Sequence, residues 1–215
     1  MLGDLLLIQE KHEKAAQKIM ERILKEKADK YIVAISGESG SGKSEVTYLL
    51  AKLLKKEGIA AKPIHIDNYY KIHPKERTEW RKKHGIQNAV GFNEYDWKTI
   101  NRNIEDFKNN KKSTMPCIDI ITDQVDSLTT NFNGIDMLVI DGLYAIKTEG
   151  VNLRVFIELT YRETKKAQVV RGKEPQNEYR MQVLEREHQV VQSLRPTANL
   201  LITKKYVVVP FNSSS

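Results

Sequence analysis

A loop of small residues between two apolar segments carries the clearest chemical signal in the sequence. Its pattern is G-x-x-x-x-G-K-[ST], and its residues are Gly37, Glu38, Ser39, Gly40, Ser41, Gly42, Lys43 and Ser44. In such a loop, successive backbone N–H groups curl around phosphate oxygens, and the N-terminal end of the following helix adds positive potential. The pattern therefore predicts a binding site for a nucleoside triphosphate.

Two side chains of this loop have separate expected roles. We expect the Lys43 ammonium to reach the β- and γ-phosphates and the Ser44 hydroxyl to bind a metal ion. The predicted cofactors are ATP and Mg²⁺, but the loop contacts only phosphates and does not distinguish ATP from GTP. The alternative is a Gly/Ser-rich loop with an exposed lysine. The apolar run at 31–35 and the apolar-periodic segment after the loop favour the phosphate site, because the motif requires a strand before it and a helix after it.

Two carboxylates follow apolar segments that read as strands. Asp67 ends the segment 60–67, and Asp141 ends the run "MLVID". Ligands of open α/β sheets bind beyond the carboxyl ends of the strands, so both residues are expected at the phosphate site. Asp141 would bind the metal, directly or through water, and Asp67 would orient or deprotonate a hydroxyl of the acceptor. An Asp-Gly turn at Asp141 and a helix cap or turn at Asp67 are the structural alternatives.

The hydrophobic pattern predicts the elements that must hold these side chains. Strands are expected at 31–36, 60–67, 136–142, 153–159, 198–203 and 206–210, and an extended segment of a small hairpin at 115–122. Helices are expected at 5–27, 43–57 and 96–110, with a surface excursion containing a short helix at 71–90 and a charged helical region at 161–193, interrupted around 171–178. Strands alternating with helices predict an α/β domain with a mostly parallel central sheet.

Length and composition fit one domain of this kind. The chain has 215 residues, enough for one buried core, of which 40% are hydrophobic and 29% charged. We expect a single P-loop domain with a leading helix at 1–30, an acceptor-binding excursion at 68–122 and a lid region at 161–193. The single cysteine, Cys117, excludes an intramolecular disulfide and suits a reducing compartment. No apolar run approaches the roughly 20 residues that span a bilayer, so we expect a cytoplasmic protein without a membrane partner.

The formal net charge of +7 raises the question of nucleic acid as a partner. No RNA-binding motif and no interleaved basic and aromatic patch accompanies the charge, so nucleic acid is an unlikely partner. A positive surplus equally suits an anionic small ligand. Whether the leading helix covers a sheet edge or exchanges between the copies of a homo-oligomer stays open.

Four segments together resemble the uridine kinase and phosphoribulokinase family of P-loop kinases. They are "SGESGSGKS", "HIDNYYK", "MPCIDI" and "LVIDGLYA", and the resemblance runs from about residue 31 to 203. It implies a P-loop NTPase three-layer sandwich with a small acceptor and lid region. It also implies an ATP-dependent kinase that transfers the γ-phosphoryl group to an alcohol, first of all a nucleoside such as uridine or cytidine. A sugar phosphate or a pantothenate-like alcohol comes next.

The resemblance also implies roles for individual residues. Asp67 would be the catalytic base, Tyr70 would line the acceptor pocket, and Asp119 would lie in the acceptor region. Asp141 would join Ser44 at the metal. The family places arginines on a lid helix over the phosphates; here Arg171 is the first candidate and Arg162 the second. Their alternative is the charged face of a solvated helix.

Departures from the family pattern fall on the acceptor and lid side. Glu45 stands where the family usually has Ser or Thr near the α-phosphate, so we expect its carboxylate to face away from the phosphates. The acidic segment for the acceptor is reduced to "FNEYDW", in which Asp96 is the first candidate and Glu94 the second. Ile118 replaces an aromatic residue of the family. Aromatic side chains around this excursion either stack on the acceptor or pack the subdomain: Tyr69, Trp80, Phe92, Tyr95 and Trp97.

A second hypothesis is an ATPase or nucleotide-dependent switch that acts on a macromolecular partner. It would account for the weakened acceptor segment, the basic surface and the leading helix. No switch-loop motif supports it, and it leaves Asp67 and Tyr70 without a role. The small-molecule kinase is therefore the leading hypothesis.

Overall fold

Two hydrophobic cores lie on opposite faces of a parallel sheet. The computed structural model of the protein describes residues 2–26, 28–172 and 177–211. Alternate residues of the first strand divide between the cores: Ile32 and Ala34 belong to one, and Val33 and Ile35 to the other. A strand that is apolar at every position is typical of a sheet covered on both faces. The architecture is therefore the α/β sandwich that the alternating pattern predicts.

Within the described residues, six strands form the central sheet and two form a separate hairpin. The strands are β1 (Tyr31–Gly37), β2 (Ala61–His65), β3 (Lys112–Asp119), β4 (Gln124–Asn131), β5 (Met137–Asp141), β6 (Leu153–Ile157), β7 (Leu200–Ile202) and β8 (Val208–Pro210). The order in the sheet is β2-β5-β1-β6-β7-β8, and only the β7–β8 pair at its edge is antiparallel. The predicted hairpin is confirmed as the antiparallel pair of β3 and β4.

The helices cover the sheet and build the excursions. They are α1 (Glu10–Glu26), α2 (Lys43–Lys56), α3 (Pro74–His84), α4 (Ile86–Ala89), α5 (Trp97–Lys108), α6 (Lys165–Arg171) and α7 (Glu178–Gln192). The predicted interruption of the lid region falls between α6 and α7, and its residues 173–176 lie outside the described residues, as does the tail at 212–215. No described helix is both long and apolar enough to cross a membrane.

The first helix begins later than the pattern predicts. Helix 5–27 was expected, but α1 starts at Glu10, and residues 2–9 run without helical structure; Lys27 lies outside the described residues. The N–H of Gln9 donates to His12 Nδ1 (3.0 Å), and the N–H of Leu7 donates to the Glu45 carboxylate (2.9 Å). One local and one tertiary acceptor therefore take these backbone donors, and they override the helix propensity of the leucines. We call residues 2–9 the leading strap.

The second strand ends two residues before Asp67. β2 stops at His65, and Ile66–Tyr69 forms a 3₁₀ turn, so the prediction that Asp67 ends the strand was wrong. Ile66 and Tyr69 are both buried, and their side chains anchor the turn on the core. Asp67 and Asn68 are residues that favour turns. The turn carries Asp67 just beyond the carboxyl end of β2.

Candidate active site

The phosphate loop links β1 to α2 and is backed by side chains from both ends of the chain. Gly40 and Gly42 have left-handed backbone conformations, with φ of +73° and +98°. A Cβ on Gly42 would overlap the Tyr206 hydroxyl and would lie 2.8 Å from His12 Nε2. The Tyr206 hydroxyl also donates to the Ser41 carbonyl (2.9 Å). Glycine at position 42 therefore lets these two rings approach the loop.

Lys43 lies across the loop rather than in solvent. Its ammonium is buried and donates to the Glu38 carbonyl (2.9 Å). Burial lowers the pKa of Lys43, and attraction to Asp67 and Asp141 opposes that shift. The Ser41 hydroxyl is buried and has no hydrogen-bond partner in the described part of the chain. The loop thus offers a cation and an unpaired hydroxyl donor, which fit phosphate oxygens.

Ser44 and Asp141 meet as the motif predicts, and His65 joins them. The Ser44 hydroxyl donates to Asp141 Oδ2 (2.9 Å), and His65 Nδ1 pairs with the other carboxylate oxygen. Parallel register between β2 and β5 sets His65 opposite Asp141. Burial would raise the pKa of Asp141, but His65, Ser44 and Lys43 together hold it below its usual value. Sequence reasoning missed His65; its polar ring at the end of an apolar strand was the available signal.

A hydroxyl and a single carboxylate are a suitable protein contribution to a Mg²⁺ site. Mg²⁺ in phosphoryl-transfer sites takes one or two protein ligands and completes its shell with phosphates and water. Among the described residues, no cluster of three or more His, Cys, Asp and Glu could hold a metal by itself. Ser44 and Asp141 therefore fit a metal that is shared with the nucleotide.

Asp67 lies near this pair and is held by a chain of hydroxyl groups. The Tyr95 hydroxyl donates to Asp67 Oδ1 (3.4 Å), and its oxygen lies 2.7 Å from that of Tyr70. The two tyrosine rings are 4.3 Å apart, and the Arg77 guanidinium lies 3.5 Å from the centre of the Tyr70 ring. Burial raises the pKa of Tyr70, so its hydroxyl stays protonated. The structure thus brings Asp67 and Tyr70 together through Tyr95.

The other residues assigned to the acceptor have local partners. Asp96 caps α5, accepting hydrogen bonds from the backbone N–H (3.1 Å) and hydroxyl (2.6 Å) of Thr99. Asp119 accepts from the N–H of Ile121 (2.9 Å) in the turn of the hairpin. Glu94 forms a buried two-point pair with Arg81 (2.6 and 3.1 Å). The contacts recorded for these carboxylates are with the excursion, not with the phosphate loop, and their substrate-binding roles stay predictions.

The lid arginines have acidic partners of their own. Arg171, at the end of α6, pairs with the buried Glu45 carboxylate, directly after Ser44 in the chain. Arg162 pairs with Glu185 (2.5 Å), and its side chain is 56% exposed. Arg171 therefore lies beside the phosphate loop, whereas Arg162 lies on the surface. A role for either in charge neutralisation stays a prediction.

Glu38 belongs to the phosphate loop, but its side chain contacts residues far along the chain. Its buried carboxylate accepts from the backbone N–H of Tyr161 (2.7 Å), from His188 Nδ1 (2.7 Å) and from the Gln192 amide (2.8 Å). These contacts join the loop to α7. The motif leaves this position free, and its partners are 123 to 154 residues away in the chain, so no local signal could reveal them.

The fold and this site define a P-loop phosphotransferase: a phosphate loop, a hydroxyl–carboxylate pair that fits a metal, and a further carboxylate meet at one edge of a parallel sheet. A family model described as the phosphoribulokinase / uridine kinase family matches residues 32–195, and the chain belongs to that family. It is thus a small-molecule kinase that acts on an alcohol group, and the family implies ATP as the phosphate donor.

Individual relatives agree with this family. The chain is 27% identical over 192 residues to a uridine kinase of Macrococcus caseolyticus, covering 86% of this chain and 89% of the relative. It is 32% identical over 131 residues to a uridine kinase of Mycoplasma genitalium, covering 59% and 60%. A solved structure titled a possible uridine kinase, from Bacillus stearothermophilus, superposes with a TM-score of 0.65 at 17% identity, covering 87% and 96%. The last likeness concerns the fold alone.

Proposed function

We propose that the protein transfers the γ-phosphoryl group of ATP, bound with Mg²⁺, to a hydroxyl group of a nucleoside, with uridine or cytidine as the first candidates. One observation carries the proposal. Asp67 lies in the turn just beyond β2, and it attracts the Lys43 ammonium as Asp141 does. β2 neighbours β5, which ends at Asp141, the partner of Ser44. The names of the two relatives above support a pyrimidine nucleoside as the acceptor.

In the proposed reaction, Asp67 takes the proton of the acceptor hydroxyl as that oxygen forms a bond to the γ-phosphorus. The bond between this phosphorus and the bridging oxygen breaks, and the oxygen leaves with ADP. Lys43 neutralises charge on the phosphates. Ser44 and Asp141 would hold Mg²⁺, which would supply further positive charge to stabilise the phosphates during transfer. The Tyr95 hydroxyl keeps one oxygen of Asp67 in place.

ADP release with a panel of acceptors tests the proposal. Purified protein with ATP and Mg²⁺ is assayed with uridine, cytidine, adenosine, pantothenate, ribulose 5-phosphate or no acceptor. We expect one pyrimidine nucleoside to raise ADP release at least about tenfold, because an acceptor oxygen held in line replaces an unpositioned water. Slow hydrolysis that no acceptor changes would contradict the proposal and favour the ATPase or switch.

Asp67→Asn tests the role of the carboxylate itself. Asparagine keeps the shape and can accept from Tyr95, but it cannot take a proton, so phosphoryl transfer should fall by about 10²- to 10⁴-fold. ADP affinity should stay within about twofold. The matched control is Asp123→Asn, in the hairpin turn at φ +56°, a conformation that asparagine also adopts, and it should keep full activity. Transfer at the wild-type rate in Asp67→Asn would remove Asp67 from the mechanism.

A further inference from the structure

The leading strap contacts both the proposed acceptor side of the active site and the helix that follows the phosphate loop. It precedes the residues matched by the family model. At one end, the N–H of Leu2 donates to the Ile118 carbonyl (2.9 Å) and the N–H of Ile120 donates to the Leu2 carbonyl (3.2 Å). The N–H of Ile118 in turn donates to the side chain of Asn68 (3.2 Å), the neighbour of Asp67. This end of the strap is therefore attached beside the proposed acceptor side.

The other end of the strap is attached to the helix that begins at the phosphate loop. Leu7 donates its N–H to Glu45 Oε1 (2.9 Å), and Arg171 pairs with the same oxygen. Glu45 is only 2% exposed. A buried carboxylate needs donors or cations to replace water, and here one comes from the strap and the other from α6. The charge beside Ser44 is thus neutralised by elements outside the phosphate loop.

A cavity of about 270 Å³ opens between the strap and the phosphate loop. The phosphate loop lines it with Gly40, Ser41 and Gly42. The strap and the start of α1 line it with Leu7, Gln9, Lys11 and His12. The charged side chains that line it are four basic ones and two acidic ones: Lys11, Arg171, Lys204, Lys205, Glu45 and Glu163. The positive surplus suits a ligand that carries phosphates, and the shared wall places the cavity next to the loop that would hold them.

Building on the donor site proposed above, we propose that Leu7, Gln9, Lys11 and His12 line the site for the nucleoside end of the donor. We also propose that the Leu7–Glu45–Arg171 contact couples the strap to nucleotide binding. When the strap detaches, Glu45 loses one of its partners but still lines the cavity. Its less compensated charge then disfavours an anionic ligand there. Because coupling between two events is reciprocal, bound nucleotide must also hold the strap in place.

Leu7→Pro removes the N–H that Glu45 accepts, without removing a charge. The matched control is Leu5→Pro, in the same extended segment; the Leu5 side chain is 51% exposed and does not line the cavity, and no hydrogen bond of its N–H is recorded among the described residues. The measured quantity is the dissociation constant of a fluorescent ADP analogue. We expect Leu7→Pro to weaken ADP binding by about 10- to 150-fold, the range of a lost hydrogen bond to a charged group, and Leu5→Pro to change it less than about twofold.

Hydrogen exchange of the wild-type protein gives a readout without any variant, so the proposal stays testable even if Leu7→Pro fails to fold. Saturating ADP should slow exchange in residues 2–9 by at least about tenfold. Exchange in the strap that ADP does not change, or unaltered ADP affinity in a folded Leu7→Pro variant, would overturn the coupling alone. A wild-type protein that binds ADP but phosphorylates no acceptor would instead contradict only the proposed function. Absence of ADP binding would overturn both.

Discussion

At the residue scale, two buried tyrosines differ in what their hydroxyl groups contact. Tyr95 and Tyr144 are both fully buried, and their rings meet edge to face with centres 5.4 Å apart. The Tyr95 hydroxyl contacts Asp67 and Tyr70, whereas the Tyr144 hydroxyl has no hydrogen-bond partner among the described residues. An unpaired buried hydroxyl costs stability, and a paired one contributes to it.

Replacing each tyrosine with phenylalanine should therefore have opposite effects. Tyr95→Phe should lower the free energy of unfolding by about 1 kcal/mol and kcat by about tenfold, because Asp67 loses a donor that orients it. Tyr144→Phe should leave kcat unchanged and raise the free energy of unfolding by up to about 1 kcal/mol. Urea unfolding and initial rates measure both. Equal losses of unfolding free energy in the two variants would show that ring packing, and not the hydroxyl group, determines the contribution of each tyrosine to stability.

Individual site residues were predictable where the chain itself keeps them together. The loop motif identified Lys43 and Ser44, and the ends of two apolar strands pointed to Asp67 and Asp141, because parallel strands bring such ends to one edge. The partners of Glu38 and Glu45 were not predictable. These carboxylates are contacted by residues from distant segments: Tyr161 and His188 for Glu38, and Leu7 and Arg171 for Glu45. A single sequence does not show which distant segments come into contact.

At the element scale, the turn that carries Asp67 depends on a glycine at the end of β5. Gly142 has φ of +152°, and a Cβ there would overlap the Ile66 side chain and lie 3.3 Å from Asp67 Oδ1. The absence of a side chain lets the 3₁₀ turn pack directly against the strand end. The position of Asp67 is thus set by contact between two elements as well as by its own sequence.

Gly142→Ala should displace this turn. We expect a loss of about 3 kcal/mol or more in the free energy of unfolding, together with a lower kcat, because the new methyl group collides with Ile66. The control is Gly134→Ala, at φ +78° with no atom within 4 Å of the added Cβ, which should cost only about 1 to 2 kcal/mol. Thermal unfolding and kcat are measured for both. Equal losses would mean that backbone strain alone, without the collision, explains the effect.

Strands were easier to predict than the ends of elements. Runs such as 31–35 are apolar at every position and belong in a covered sheet whatever their neighbours are. The start of α1 and the end of β2 depend instead on where backbone groups find partners. Leu7 donates its N–H to Glu45, and the turn after His65 buries both Ile66 and Tyr69. Neither contact produces a periodic pattern in the sequence.

At the scale of the whole molecule, His12 connects α1 to the phosphate loop. It is 4% exposed, its Nδ1 accepts from the N–H of Gln9, and its ring meets that of Tyr206 edge to face at 5.0 Å. Burial lowers the pKa of His12 to about 4, and the nearby Glu45 charge opposes this shift. Protonation would also convert Nδ1 from an acceptor into a donor that faces another donor.

Acid should therefore destabilise the fold through His12. An unfolded histidine has a pKa near 6.5, so the unfolded chain binds more protons between about pH 6.5 and pH 4, and stability falls as the pH falls through this window. The loss from this residue should be about 1 to 3 kcal/mol. Urea unfolding at pH 7.5, 6, 5 and 4.5 measures it. His12→Gln should flatten the profile, and the exposed His84→Gln should not; parallel profiles for wild type and His12→Gln would contradict the assignment.

The contact between the Tyr206 hydroxyl and the Ser41 carbonyl spans 165 residues of chain. Ribosomal synthesis delivers the phosphate loop 165 residues before the turn that supports it. A growing polypeptide can form β1 and α2 well before Tyr206 exists, but its loop then lacks this backing. Stabilisation by ATP therefore favours chains that extend past Tyr206 over shorter ones, because a ligand stabilises only the molecules that can bind it. Incomplete products are thereby left more open to the proteases that remove unfolded chains.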